Sequence, residues 1–345
     1  MLKQNIINTV QRNCDIANTQ AANDYTLCVY LLKMREYYRW ENKLGFNDSL
    51  ANNDIGDWIS AREQRWQELE DCDYSDITIN NRAYSPFDAH EINRHLEPMG
   101  MVYSAGLGQQ HRPHFFLGEL NQHLATDDYQ VYVTNTEFAR ELTAPPAMSI
   151  NKTIFIRRQS LKRMIWERLE EWRWNKGQGA MAHALSHYDF EHDLDHALDL
   201  MTEHETDVLL HHEIGEIQAG KHLGEAWHTM LASLPRSKAS FMARAVRDHM
   251  ADCHSTLPML VNEDRRASIH FYFGNFNAMR KEIFPSLIAA YEQWYQTGNL
   301  AGLRKTITAG KQHWNDVADS ILDIHQGNTV QCADKITTLI ENNKL

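Results

Sequence analysis

Histidines and carboxylates crowd one stretch of this 345-residue chain. Eleven of its nineteen histidines fall between His183 and His254, interleaved with Glu213, Glu216, Asp248 and Asp252. Imidazole and carboxylate side chains, brought together in an interior, ligate metals such as Fe, Mn or Zn rather than soft-metal ions. Without a metal they must neutralise one another or be neutralised by arginine. Which chemistry applies depends on which residues share a face.

The stretch 205–231 reads as a helix turning about 100° per residue. Leu209, Leu210, Ile217, Trp227 and Leu231 then fall on one side, with Glu213 near its middle, Glu216 close by and His212 on the flank. Gly220 and Gly224 share that face and would admit a neighbouring backbone. His211, Gln218, His222 and Glu225 point away. Over 238–256, Phe241, Met242, Ala245 and Cys253 define the apolar side, His249 sits within it and Asp252 at its edge, while Arg244, Arg247 and His254 point out. The short linker SLPRS pairs the two helices as an antiparallel hairpin. Glu213, Glu216, His249 and Asp252 are therefore expected to face a common interior, where an isolated carboxylate shifts its pKa or destabilises the fold.

One compensator is a metal. Facing helices with acid and imidazole ligands hold dinuclear centres in helical bundles. The pair His212-xxx-Glu216 resembles the HxxxE ligands of hemerythrin-like proteins, and Glu225-Ala-Trp-His228 resembles the ExxH of ferritin-like carboxylate proteins. LLHHEIGEI, 209–217, resembles the core of HD-domain metal phosphohydrolases, with His212-Glu213 standing where that family has His-Asp. That resemblance implies an earlier histidine, His183 or His187, and a later aspartate, Asp248 or Asp252. The leading expectation is a metal site, di-iron with Mn or Zn as alternatives, held by His212, Glu213, Glu216, His249 and Asp252 and performing redox or oxygen-linked chemistry. A hydrolytic HD-like site is the second reading.

The other compensator is arginine. Arg35 lies between Leu31 and Tyr38 on the apolar arc of a helix expected over 16–43, and Arg168 lies beside Ile165, Leu169 and Trp172. As catalytic-site residues they would grip an anionic small-molecule substrate or pair with ligand carboxylates. The third reading is a non-enzymatic helical interaction protein with a buried ion-pair network.

Other groupings carry less. His183 and His187 could face inward with Phe190, Leu194 and Met201. His192-xxx-His196 points away from that face. His90-Glu91-Ile-Asn-Arg-His95 has one residue too many for a zinc-protease HExxH, which rotates its second histidine by about 100°. His111-Arg-Pro-His114 reads as a loop, His325 as a core histidine beside Ile321, and RRQSLKRMIWER, 157–168, as a solvated helix.

The formal net charge of −12 excludes non-specific nucleic-acid binding and disfavours anionic membranes. No apolar run spans a bilayer and the first twenty residues lack a secretory signal, so a cytoplasmic location is expected. The five cysteines are odd in number and form no CxxC, which gives neither a disulfide framework nor a cysteine zinc site. Oligomerisation is open.

Helices are expected over 16–43, 55–70, within 85–100, and from about 159 almost to the end, with breaks at 270–276 and Pro285. HFFLGEL, YQVYVTN and KTIFIRR are strand-like. The fold class is mainly α: a helical bundle-like core with a small irregular or β-containing insertion around 100–156. The divisions are an N-terminal helical region 1–99, a mixed loop and short-strand region 100–158, and a helical domain 159–345 carrying the site, or one domain throughout.

Overall fold

A computed structural model describes residues 2–22, 25–107, 113–150, 152–234, 237–327 and 331–345. The chain is mainly α and divides into two units: Met1–Arg168 with Asp193–Thr202, and Leu169–His192 with Glu203–Leu345.

Unit 1 is built on a sheet. Helix α1 (Leu2–Ala21) carries Ile6, Val10, Cys14 and Ala17 at helical spacing, and this stripe packs with Tyr103, Phe115, Leu117 and Ala139. Helices α2 (Leu27–Glu41) and α3 (Asn52–Leu69) share a smaller core of Met34, Tyr37, Trp66 and Leu142. Strands β1 (Ile77–Ile79) and β2 (Arg82–Tyr84) form a hairpin closed by Asn80 and Asn81, both at positive φ (50° and 64°), as a type I′ turn requires. After α4 (Ala89–Leu96) come β3 (Met101–Leu107), β4 (Pro113–Ala125), β5 (Gln130–Arg140), β6 (Ala147–Ile150) and β7 (Thr153–Arg157), ordered β3-β4-β5-β7-β6 with only β5 and β7 parallel. The sheet is buried on both faces near its middle: Phe115 and Leu117 meet α1, while Phe116 joins Val102, Tyr132 and Phe155. The small irregular or β-containing insertion expected around 100–156 is an ordered five-stranded sheet.

Unit 2 is helical: α6 (Ala180–Leu185), α8 (Lys238–Ala251), α9 (Leu257–Asn262), α10 (Arg266–Gly274), α11 (Ala278–Ile283), α12 (Pro285–Thr297), α13 (Ala301–Gln326) and α14 (Cys332–Asn342). Helices α5 (Arg158–Asn175) and α7 (Leu194–Ser233) carry residues of both units. The core of unit 2 gathers Met242, Val246, Met250, Leu260, Leu287, Trp314 and Ile321. Gly310 lets the Phe284 ring lie against α13, since a Cβ there would sit 2.7 Å from Phe284 Cζ. Helix α7 kinks at Gly224, whose φ of 62° favours glycine.

Three helix expectations need correction. The single helix over 16–43 is two helices, with Thr26 extended at the start of α2. The break expected over 270–276 falls only at its end, since α10 runs through Gly274 and the chain leaves the helix at Asn275. Over 238–256 the helix leaves α geometry at Asp252 and makes a π-helical turn, Asp252–Thr256. Pro285 does open a new helix, where its missing N–H costs nothing. The SLPRS linker includes Pro235 and Arg236, which lie outside the described residues. Among the described residues no helix is long and apolar enough to cross a membrane.

Candidate functional site

The carboxylate–histidine region of unit 2 is organised by a backbone contact. The buried stripe of α7 there is Val208, Gly215, Ala219, Leu223 and Trp227. Leu209 and Leu210, which anchored the expected face, are half-buried. Gly215 faces the last residue of α8: a Cβ on it would lie 2.2 Å from the Ala251 carbonyl oxygen. This approach carries His212, one turn earlier, to Asp252, the first residue of the π turn.

Asp252 is fully buried and takes up its lone pairs entirely within the protein. His212 Nδ1 donates to Oδ1 at 2.8 Å, Thr256 Oγ1 to Oδ1 at 3.0 Å, and Tyr272 Oη to Oδ2 at 2.7 Å. Arg280 forms a close ion pair with Oδ2 and also donates to Tyr272 Oη at 2.7 Å. Burial alone would raise the Asp252 pKa, but the charges of Arg280 and His212 and these hydrogen bonds hold it far below the carboxylate range. Burial would likewise lower His212; the Asp252 charge and hydrogen bond, with Glu216 and Glu213 nearby, lift it to about 9. His212 is therefore an imidazolium at neutral pH.

The remaining residues do not converge on the same point. Glu216 ion-pairs with Arg247, which had been expected to point outward. Burial raises Glu216 to about 7 against the pull of Arg247 and His212. His249 is buried, stacked on Trp314 at 5.0 Å and edged by Phe284 at 5.1 Å. Its Nε2 donates to the Arg280 carbonyl at 3.2 Å, leaving Nδ1 buried without a hydrogen-bond partner. Burial and the Arg280 charge push His249 well below its ordinary pKa, so it is neutral. Glu213 is half-buried, within electrostatic reach of His212.

These contacts overturn the metal reading. Among the described residues no group of three or more His, Cys, Asp or Glu could hold a metal ion. Asp252 is already saturated by cations and hydroxyls, Glu216 is taken by Arg247, and His249 lies inside an aromatic cage. A dinuclear iron, manganese or zinc centre on His212, Glu213, Glu216, His249 and Asp252 is excluded on that finding, and the HD-like hydrolytic site falls with it. Glu225 and His228 are both exposed, so the ExxH resemblance has no structural counterpart.

Arg35 and Arg168 belong to unit 1 and do not point inward. The Arg35 side chain is 42% exposed with Glu36 at 3.9 Å, and Arg168 is exposed. The buried arginines lie nearby in sequence: Arg39 and Arg163. Of the weaker candidates, His90 is exposed, His95 bonds Tyr84 Oη at 2.8 Å, His192 pairs with Asp189 at 2.7 Å, and His111 lies outside the described residues. His183 and His187 lie beside His270, an association sequence spacing did not reveal.

Two further features escaped sequence reading. Unit 1 buries its own charge network: Arg157 bonds Glu137 at 3.1 Å and Glu141 at 3.3 Å, and Ser160 donates to Glu137 at 2.5 Å. Arg140 stands against the rings of Tyr37 and Trp40, with burial and the Arg163 charge lowering it to about 10. The signal was the charge run EFARE closing a strand otherwise apolar. The second feature is a groove of about 440 Å³ at the α1–α2–α3 end of unit 1, lined by Tyr25, Leu27, Tyr30, Glu63, Trp66 and Glu70 among others. Tyr30 Oη donates to Glu63 at 2.8 Å. Alongside it α2 exposes Leu27 (70%), Leu32 (61%), Leu31 and Val29.

The fold and these sites define a mainly helical protein of two units, each with a buried ion-pair network. Residues 5–157 match the N-terminal domain, and residues 162–343 the C-terminal domain, of a family of unknown function (DUF6866). The chain belongs to that family. No curated protein and no solved structure matches it.

Proposed function

We propose that this is an interaction protein whose unit 1 groove receives a Lys- or Arg-bearing apolar segment of a partner protein. The observation that carries the reading is the lining of the groove: Glu63 and Glu70 stand among Tyr30 and Trp66, with no basic residue in the lining, while the Tyr25 ring already carries Lys33 Nζ at 5.2 Å. Aromatic faces beside carboxylates favour a cation, by about 0.5–2 kcal/mol for each cation–π contact. Leu27, which lines the groove, and Leu31, one turn further along α2, supply exposed apolar surface for the flanking side chains, and exposed apolar surface of this kind commonly marks an interface. A second copy of the chain is the poorer occupant, because a net charge of −12 makes copies repel. The bundle-like helical packing of unit 2 and its saturated ion pairs are read as scaffold.

The test is fluorescence anisotropy with a labelled amphipathic Leu/Lys peptide against the full chain. Binding is expected to weaken about tenfold or more in Glu63→Gln/Glu70→Gln, to weaken with added salt, and to be absent for a Leu/Glu peptide. Equal binding to wild type and double variant, or no binding at millimolar peptide, overturns the reading. A dimer in sedimentation that Leu27→Asp/Leu32→Asp dissolves would assign the face to a second copy instead.

A further inference from the structure

Unit 2 holds a second polar cluster, away from Asp252. His270 of α10 lies with its ring centroid 5.4 Å from that of His183 and 5.9 Å from that of His187. His183 stacks on Tyr295 at 4.2 Å, and His270 Nδ1 bonds Tyr291 Oη at 2.8 Å while packing on Trp294 at 4.9 Å. Three imidazoles meet here, and among the described residues no carboxylate is in bonding contact with any of them. We propose that the segment 180–192, comprising α6 and the turns after it, is an acid-released latch held on α10 and α12 by the packing of this histidine trio.

The geometry gives the latch its sign. A neutral His270 packs well against the rings of Tyr291, Trp294 and Tyr295; an imidazolium at that buried position loses its packing. His270 is held neutral to about 4, first by burial and then by the charges that His183 and His187 would carry. The folded pKa lies below the ordinary 6.5, so closure is favoured at and above neutral pH and weakens as pH falls below about 6.5.

The other groups facing the segment are few. From α7, His204 Nδ1 bonds Tyr188 Oη at 3.0 Å, and Glu205 is buried near Tyr188. From α5, Arg173 donates to the Phe190 carbonyl at 3.1 Å. From α12 come Tyr291 and Tyr295, and α9 has no titratable side chain. Within the segment Asp189 is taken by His192. The closed position depends on a tight approach, since a Cβ on Gly274 would lie 3.1 Å from the Met181 backbone. The six-residue helix is entered through Gly177 and Gly179, so the chain before it can swing without strain. Release would uncover Ala184, Leu185, Tyr188 and Phe190, which are buried in the closed form.

Hydrogen exchange of the full chain read by mass spectrometry at pH 7 and pH 5, corrected for intrinsic rates, tests this. Glu205, which is buried beside Tyr188 and titrates with the opposite sign, is first replaced by Gln; in that background protection of peptides from 180–192 is expected to fall about 20-fold relative to peptides of α13, as linkage through His270 requires. In His270→Phe, which keeps an aromatic ring without the charge, that fall should disappear. Should His270→Phe lose α13 protection and so fail to fold, His183→Asn/His187→Asn gives the same reading, since both residues are partly or fully exposed; the fall should then shrink severalfold. Protection that does not change between the two pH values, or that falls equally in wild type and variants, overturns the proposal.

Discussion

Gly215→Ala separates two opposed effects of known size. On helix propensity alone, alanine for glycine inside a helix stabilises by about 1 kcal/mol. At this position the added Cβ would lie 2.2 Å from the Ala251 oxygen and 2.8 Å from its carbonyl carbon, both backbone atoms that cannot swing aside. Relieving the clash requires α7 and α8 to part by about 1 Å, given ordinary carbon contacts of about 3.5 Å. Overpacking of this kind costs about 1–3 kcal/mol. Separation also stretches the 2.8 Å His212–Asp252 bond, and hydrogen bonds to charged groups are worth about 1.5–3 kcal/mol. The expected net loss is about 2–4 kcal/mol. Gly220 is the control: it lies on the same helix with nothing within 4 Å of its would-be Cβ, so Gly220→Ala should stabilise by up to about 1 kcal/mol. Urea denaturation followed by tryptophan fluorescence, with Trp227 and Trp314 reporting on unit 2, reads both. If Gly215→Ala matches or exceeds the stability of Gly220→Ala, the close approach does not position His212 and the argument fails.

Two further outcomes follow from the same contacts. Asp252→Asn leaves the half-buried Arg280 and His212 without their buried counter-charge and should cost about 3 kcal/mol in urea denaturation at pH 7; a loss below about 1 kcal/mol would show that the network does not act as a unit. Glu205 is 3% exposed with Oε1 unpartnered, and burial raises it from 4.5 to about 7. Because its folded pKa is the higher one, the folded state loses stability as pH rises from about 4.5 to about 7, by up to about 3 kcal/mol. Glu205→Gln should therefore stabilise unit 2 at pH 8 and leave it nearly unchanged at pH 4.5, and equal effects at both values would refute it.

Much of the architecture was legible because it rests on short-range pattern. The apolar alternation of HFFLGEL, YQVYVTN and KTIFIRR places β4, β5 and β7, and Pro285 places the start of α12. The burial of His249 and Asp252 was readable from their position between Met242, Ala245 and Cys253. What failed was the choice of face on α7. Leu209 and Leu210 drew the expected apolar side toward themselves, whereas a glycine, an alanine and the close backbone of α8 decide the true one. Large side chains dominate any hydrophobic count, and a packing seam made of small residues is invisible to it. The partners of Asp252 were equally hidden: Tyr272 and Arg280 lie 20 and 28 residues away, on helices that only the tertiary fold brings together.

The same assumption, that an apolar arc faces inward, fails in the opposite direction on α2, and there the failure is informative. Leu27 and Leu31 were expected in the core, yet they are exposed while Glu36, Tyr37 and Arg39 of the same helix are buried. The helix keeps Met34 and Tyr37 in the core, but its first turns carry a double cost, once for hydrating leucines and once, further on, for desolvating charge. The inner cost is met locally, since Arg39 bonds Glu36 at 3.2 Å and Tyr37 receives a hydrogen bond from Gln11 at 2.7 Å. Among the described residues the leucines stay uncovered, so the outer cost stands. Leucines left uncovered beside an acidic, aromatic groove gain their free energy on association, at about 25 cal/mol per Å² of apolar surface covered. That exposure is the strongest physical reason to look for the partner at α2 rather than at the histidine-rich helices that first attract attention.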